Sequence, residues 1–279
     1  MSRIGRLCVV MLSLCVLVPR LAEAQGYHWS QVKIPGAFDT VGAATNDAGW
    51  IVGNWNGRDG NAAAGAFRYQ KGMFIDFAVP GAVQTWPEGI AKASLIVGSY
   101  EIPSPSVEGT FDYHGFLYIH TEGGRVVTLD YPGALWTFAM GVNDHRQVVG
   151  QMYWEDRWSN FLYDHATQTY TEIAPPPGVF YVVLEDINNH GDVAGYAAVP
   201  LDPHQTTDDA TWQGIVRWDE EWLLLAVPDA VFTFGYGLND WRQVVGSHVT
   251  TPPNDAILGW MYDLRSGRWT IFTPPGQPS

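Results

Sequence analysis

Cysteine is almost missing. The 279 residues contain two, Cys8 and Cys15. Both lie near the start of the chain, so no disulfide and no cysteine metal site can hold the body together. Basic residues are scarce as well, 15 against 29 acidic ones, for a formal charge of −14. A chain this acidic repels phosphate backbones and anionic lipid surfaces, so no nucleic acid is expected as partner. Solubility accounts for the charge, with cation binding or the steering of a cationic partner as the alternative. The apolar run from Leu7 to Val18 is too short to cross a bilayer, so no membrane span is expected. Beyond it no segment repeats with helical period. Catalytic signatures are missing too. There is no His-Glu-x-x-His, Gly-x-Ser-x-Gly, Walker loop, Gly-x-Gly-x-x-Gly or EF-hand loop. Neither a cofactor nor a metal site is therefore expected.

The N-terminus has Arg3 and Arg6, then the apolar run, then Ala22-Glu-Ala24 before Gln25. That is the pattern of a secretory signal cleaved after Ala24. Leu14 before Cys15 argues against a lipoprotein site. Residues 1–24 are thus expected to be a signal peptide. Residues 25–279 would be one cysteine-free domain, secreted or periplasmic and monomeric, held by packing.

What the chain does have is repetition. Gly141-Val-Asn-Asp-His-Arg-Gln-Val-Val-Gly150 recurs as Gly237-Leu-Asn-Asp-Trp-Arg-Gln-Val-Val-Gly246. Looser copies end at Gly53, Gly98 and Gly195. The closing glycines are 45, 52, 45 and 51 residues apart. A period in this range means a repeat array. Within the third period, Trp136–Val142, Gln147–Tyr153, Asn160–Asp164 and Thr169–Ala174 read as four strands. They are short, rich in aromatic and β-branched residues, and punctuated by Asn, Asp, Gly and Pro. The Asn-Asp stretches suit hairpin turns. Asn bonds its own backbone two residues on, and Gly49 or Gly191 supplies a left-handed residue. Arg146 and Arg242 take that glycine place and are expected to be mildly strained. A second signature follows each fourth strand, as in Ile34-Pro-Gly-Ala37, Val79-Pro-Gly-Ala82 and Tyr131-Pro-Gly-Ala134. It has six copies, one more than the hairpins.

These features predict an all-β chain, a five-bladed β-propeller of four-stranded repeats at roughly 38–82, 83–134, 135–179, 180–230 and 231–279. Residues 27–37 are expected to close the ring by joining the last blade, which removes exposed sheet edges. An open β-solenoid needs shorter coils. Two stacked sandwiches would not require every period to look alike.

The motif Asn-Asp-x-x-Gln-Val-Val-Gly, followed by cores such as Gly65-Ala-Phe67 and His114-Gly-Phe116, resembles the bacterial extracellular HAF repeat. No core here is a full His-Ala-Phe, and Ala91-Lys92 departs from Asn-Asp. The resemblance covers nearly all of residues 25–279. It implies secretion and a repeat fold, and carries over no activity or site residues.

Candidate function rests on loops. In a propeller the crossovers between blades open on the same face as the second-to-third strand loops, and the Asn-Asp turns on the other. The crossover set is Trp86, Glu88, Trp136, Phe138, Tyr181, Glu185 and Tyr236, with Asp39, Phe232 and Phe234 beside it. Aromatic rings and a few carboxylates around one mouth suit a sugar, whose surface joins apolar patches to hydroxyls. The rings also suit packing of blade on blade. Glu88 and Glu185 do not recur and fit packing less well. The expected function is therefore a secreted, non-enzymatic binding propeller for a glycan or another surface polymer. One alternative is a carbohydrate-active hydrolase or lyase with Glu88 and Glu185 as its carboxylate pair. Another is a structural envelope protein. The Asn-Asp residues are expected to serve turns. Asn54 to Gly60 reads as a turn rather than a calcium loop. Ser99 to His114 and Ala197 to Gln213 read as long insertions. The second carries Asp202, His204, Asp208, Asp209 and Trp212, a solvated acidic loop whose Asp/His group could also take a cation.

Overall fold

The computed structural model describes residues 21–23, 30–58, 64–92, 95–201, 210–250 and 256–273. Strand β1 (Leu21–Glu23) comes first, then five groups of four. Blade 1 is β2 (Ala37–Thr45), β3 (Ile51–Arg58), β4 (Ala64–Gln70) and β5 (Met73–Phe77). Blade 2 is β6 (Gln84–Ile90), β7 (Leu95–Pro103), β8 (Phe111–Ile119) and β9 (Arg125–Leu129). Blade 3 is β10 (Trp136–Val142), β11 (Gln147–Tyr153), β12 (Trp158–Asp164) and β13 (Thr169–Ile173). Blade 4 is β14 (Tyr181–Ile187), β15 (Val193–Pro200), β16 (Ala210–Trp218) and β17 (Glu221–Leu225). Blade 5 is β18 (Ala230–Leu238), β19 (Gln243–Thr250), β20 (Ile257–Asp263) and β21 (Arg268–Phe272). Each group is an antiparallel meander paired in sequence order. The ends of the first strands surround one central cavity, lined by all five blades. The fold is a five-bladed β-propeller.

The repeated residues each have a structural cause. Pro-Gly-Ala is a tight turn. Ala37 N–H bonds Ile34 C=O, Ala82 bonds Val79 and Ala134 bonds Tyr131, all at 3.0–3.1 Å. The turn needs a left-handed residue third, and Gly36, Gly81 and Gly133 have φ of 80–85°. A threonine in the next strand caps the same crossover: the hydroxyls of Thr40, Thr85, Thr137 and Thr233 accept from residues 34, 79, 131 and 227.

The closing glycines answer a bulge. Every first strand shifts register at the same place, leaving Ala43, Glu88, Met140, Glu185 or Tyr236 as the extra residue, and β18 shifts a second time between Ala230 and Phe232. The kink drives a carbonyl against the second strand. A Cβ on Gly53, Gly98, Gly150, Gly195 or Gly246 would lie 1.8–2.0 Å from it. Only glycine fits opposite the bulge.

The Asn column serves the turn, as expected, and also a second purpose. Asn143 Oδ1 accepts from the backbone N–H groups of His145 and Gln147 at 3.0 Å. Its Nδ2 donates to Asn188 C=O in the next blade at 3.0 Å. Asn46 reaches Ala91 C=O, and Asn188 reaches Asn239 C=O, in the same way. A polar belt so runs from blade 1 to blade 5. Arg146 and Arg242 do occupy the left-handed region, at φ of 61° and 63°. Both look back across a blade boundary, Arg146 to Glu122 and Arg242 to Asp192 and Asp219.

Among the described residues, apolar clusters bridge four of the boundaries. One joins blades 1 and 2, and others join 2 to 3, 3 to 4 and 4 to 5. The fifth cluster, around Ile34, Ala37 and Phe67, draws on blade 1 and its entry turn alone. Val149 of blade 3 is 0 % exposed against blade 4, whereas Val245, its equivalent in blade 5, is 41 % exposed. Ile257 is 66 % exposed. Among the described residues the boundary between blades 5 and 1 is therefore a bare seam.

Three expectations need correction. Of the closing segment 27–37, residues 27–29 lie outside the described ones, 30–36 are coil and a turn, and Ala37 opens β2. The N-terminal strand that joins the last blade is β1, added in parallel outside β21. It belongs to the segment read as signal, so cleavage after Ala24 removes it. Second, Asn54 to Gly57 is strand, because β3 pairs with β2 as far as Arg58. Third, the insertion after Ser99 is mostly strand. Strands β7 and β8 pair out to Pro103 and Phe111, leaving residues 104–110 as the loop. Asp202, His204, Asp208 and Asp209 lie outside the described residues. No described helix is long and apolar enough to cross a membrane.

Candidate functional site

The bulges aim one residue per blade at the channel. Register places Glu88, Met140, Glu185 and Tyr236 in one column, with Ala43 in blade 1. Carboxylates occupy it in blades 2 and 4. Glu88 is pushed up to about 7 by burial. Glu185 is pushed up to about 8, first by burial, then by the charges of Glu88 and Asp186, while a hydrogen bond with Tyr196 opposes the rise. Asp186 follows in the position of Gly89, Gly141 and Gly237. It is partly buried and accepts from Leu238 N–H and Ile187 N–H, both at 2.8 Å. Burial still lifts it to about 7.

The channel has two unlike ends. At the hairpin end a cavity of about 420 Å³ is lined by the Asn-Asp belt, Lys92 and Asp186. Its polar groups are largely committed to neighbouring blades. Asn189 Nδ2 donates to both Asp144 and Asp240, and Asp144 also pairs with Lys92 at 2.8 Å. At the crossover end a cavity of about 340 Å³ lies between blades 2 and 3. Its walls are Trp86, Tyr113, Phe138, Met140 and Trp158, with Glu88, Ser99 and Gln151 as the polar groups. Trp86 and Tyr113 have ring centroids 6.1 Å apart, Tyr113 and Phe138 5.7 Å, Phe138 and Trp158 5.7 Å. The rings are not consumed by the core: Trp158 is 38 % exposed.

Of the residues singled out from sequence, Trp86, Glu88 and Phe138 line this cavity. Trp136 lies behind it, stacked on Tyr153 at 4.9 Å and edge-on to Tyr113. Tyr181 is tied in through its hydroxyl, which accepts from Gln151 Nε2 at 2.9 Å. Glu185 and Tyr236 hold the equivalent bulge positions in blades 4 and 5 and line neither cavity. Asp39 is exposed on blade 1, outside the cavity. Sequence reasoning missed Tyr113, Trp158 and Gln151. Tyr113 and Trp158, like Trp212, stand three residues before a core position, Phe116, Phe161 and Ile215. Aligning the five repeats on those core residues exposes this aromatic column. Among the described residues no cluster of His, Cys, Asp and Glu is arranged to hold a metal ion.

The three raised carboxyls make stability depend on pH. Their unfolded values are near 4, so between pH 6.5 and 8.5 the unfolded chain has already lost protons that the folded chain keeps. Stability must then fall as pH rises through this window. His165 and His248, both lowered by burial, oppose this in part, because their unfolded imidazoles are still losing protons just above pH 6.5. The expected loss is about 2–3 kcal/mol. Glu185→Gln should flatten the slope by removing the share of Glu185, so that its stability gain over the parent is larger at pH 8.5 than at pH 6.5. Melting curves across the range test this, and a melting temperature that rises with pH would refute it.

No family model matches the chain, and no curated protein does. Solved structures do. TolB from Acinetobacter baumannii superposes with a TM-score of 0.53 at 11 % identity, over 76 % of this chain and 49 % of that one. This chain thus spans about half the length of that structure. The β-propeller domain of the trilobed protease from Pyrococcus furiosus gives 0.45 at 8 % identity, over 84 % and 71 %. Dipeptidyl peptidase 4 from Porphyromonas gingivalis gives 0.43 at 9 %, over 83 % and 40 %. At this identity the first likeness speaks for the fold alone.

Proposed function

We propose that the protein is an exported binding propeller that holds a glycan or another surface polymer at the crossover end of its channel. The observation that carries this reading is the aromatic-walled cavity over Glu88. Rings with free faces take up the C–H surface of a sugar, and a buried carboxyl at the base selects hydroxyls by hydrogen bonding. Export rests on the signal pattern and on the resemblance to the extracellular HAF repeat. N-terminal sequencing of the exported protein is expected to begin at Gln25, in the periplasm or the medium.

One observation favours an enzyme as second reading. Glu88 and Glu185 share a channel and are both held near neutrality, as a proton-donating carboxyl requires. A single experiment separates the readings: a glycan array probed with residues 25–279, with product analysis on the same polysaccharides. The binding reading expects retention without cleavage, weakened at least tenfold by Trp86→Ala and by Glu88→Gln. New reducing or unsaturated ends that vanish in both Glu88→Gln and Glu185→Gln establish the hydrolase or lyase instead. No retention of any glycan leaves the structural envelope role.

A further inference from the structure

The column equivalences show that the aromatic cluster lining the cavity at blades 2 and 3 has a counterpart at blades 4 and 5. Trp212 of β16 stands where Tyr113 and Trp158 stand in β8 and β12. Phe234 of β18 stands where Trp86 and Phe138 stand in β6 and β10. Trp212 and Phe234 face each other across a blade boundary with ring centroids 6.1 Å apart, close to the 5.7 Å of the corresponding pair Tyr113 and Phe138. Tyr196 closes on both, at 5.6 and 5.3 Å. Beneath this second cluster sits Glu185, in the bulge position that Glu88 holds beneath the first, and Tyr196 hydrogen-bonds it. The cluster remains accessible: Tyr236 at its edge is 49 % exposed and lies parallel to Phe234.

The two clusters are joined. Gln151 lines the first cavity, and its Nε2 donates to the hydroxyl of Tyr181, whose ring meets Trp212 at 6.3 Å. Blade 1 has no such apparatus. Val41 takes the ring position and Ala43 the bulge position. Aromatic surface thus runs as an arc through blades 2 to 5 and stops at the bare seam.

We propose that Tyr181, Glu185, Tyr196, Trp212 and Phe234 form a second subsite, and that the ligand is a neutral, β-linked sugar chain long enough to occupy both. The inference rests on the glycan reading given above. Two like subsites two blades apart match a ligand whose own units repeat. Pyranoses with equatorial substituents present flat C–H faces to rings. The chain's acidic excess and its two buried carboxyls disfavour uronic or sulfated polymers. A chain bound at one subsite meets the other at high effective concentration, so length rather than any new contact raises affinity.

Isothermal titration with cellobiose and cellohexaose, and with the N-acetylglucosamine di- and hexasaccharides, tests this. The expected result is two disaccharides bound per protein chain but one hexasaccharide, bound at least about 100-fold more tightly. Trp212→Ala should reduce disaccharide stoichiometry to one and bring hexasaccharide affinity down to disaccharide level. Tyr236→Ala, at a half-exposed ring, should weaken only the hexasaccharide, and circular dichroism confirms that each variant is folded. One disaccharide per chain, or hexasaccharide affinity indifferent to Trp212→Ala, overturns the second subsite and leaves the first standing. Absence of binding by every sugar, at either length, overturns the glycan reading together with the subsite.

Discussion

Gly195→Ala is expected to destabilise the domain by at least about 4 kcal/mol, which for many domains is most of the stability. The added methyl would lie 1.8 Å from Val183 C=O, and 2.9–3.0 Å from further backbone atoms of Val183 and Leu184. No rotamer change relieves this, because both sides of the clash are backbone. The first two strands of blade 4 would have to separate at the bulge that presents Glu185. Ligand affinity should fall with stability for that reason. Gly191→Ala is the control. Gly191 sits at φ 82° with open space around its Cβ position, so alanine there meets only the left-handed penalty of about 1 kcal/mol. Urea unfolding of the two variants measures the difference. Equal midpoints would remove the bulge as the reason for the repeated glycine.

The second large effect belongs to Asn188. Its Oδ1 accepts from His190 N–H at 2.9 Å and Asp192 N–H at 3.0 Å. Its Nδ2 donates to Asp192 Oδ2 at 3.0 Å and to Asn239 C=O at 3.2 Å. A turn residue alone is worth about 0.5–2 kcal/mol, by analogy with helix caps. Asn188→Ala also strands buried groups in two blades, so about 2–4 kcal/mol is expected. Asn239 has the same place in blade 5, but its Nδ2 donates to its own Gln243 Oε1 at 2.9 Å. Beyond it lies the seam. Asn239→Ala should therefore cost less than Asn188→Ala by at least about 1 kcal/mol. If the two cost the same, blade 5 meets blade 1 as tightly as the other blades meet, and the seam is closed in solution.

The repeats themselves were legible in the chain. The closing glycines set the period, the four strand runs of the third blade match β10 to β13 within two residues at every end, and the Pro-Gly-Ala turns mark the crossovers. These signals are short-range. A turn needs Gly or Asn at one position, and a half-buried strand alternates, whatever the rest of the molecule does. Glu88 and Glu185 were also visible, as the residues packing explained least well.

Their equivalence was not visible, because the bulge column depends on register between strands. The purpose of Gly195 was hidden for the same reason: its clash is with a carbonyl on the neighbouring strand. Asn143 could be read as a turn residue, but its bond to Asn188 crosses 45 residues of sequence. Five similar repeats argue for a ring whose boundaries are all alike, and local residue pattern singles out none of them. Which boundary stays bare depends on how five sheets, each tilted on the last, come round to meet. That angle accumulates over the whole domain and is recorded in no single stretch of it. The chain alone thus determined strands, turns and period, while only the tertiary structure decided which carboxyls share the channel, which rings keep a free face, and where the circle parts.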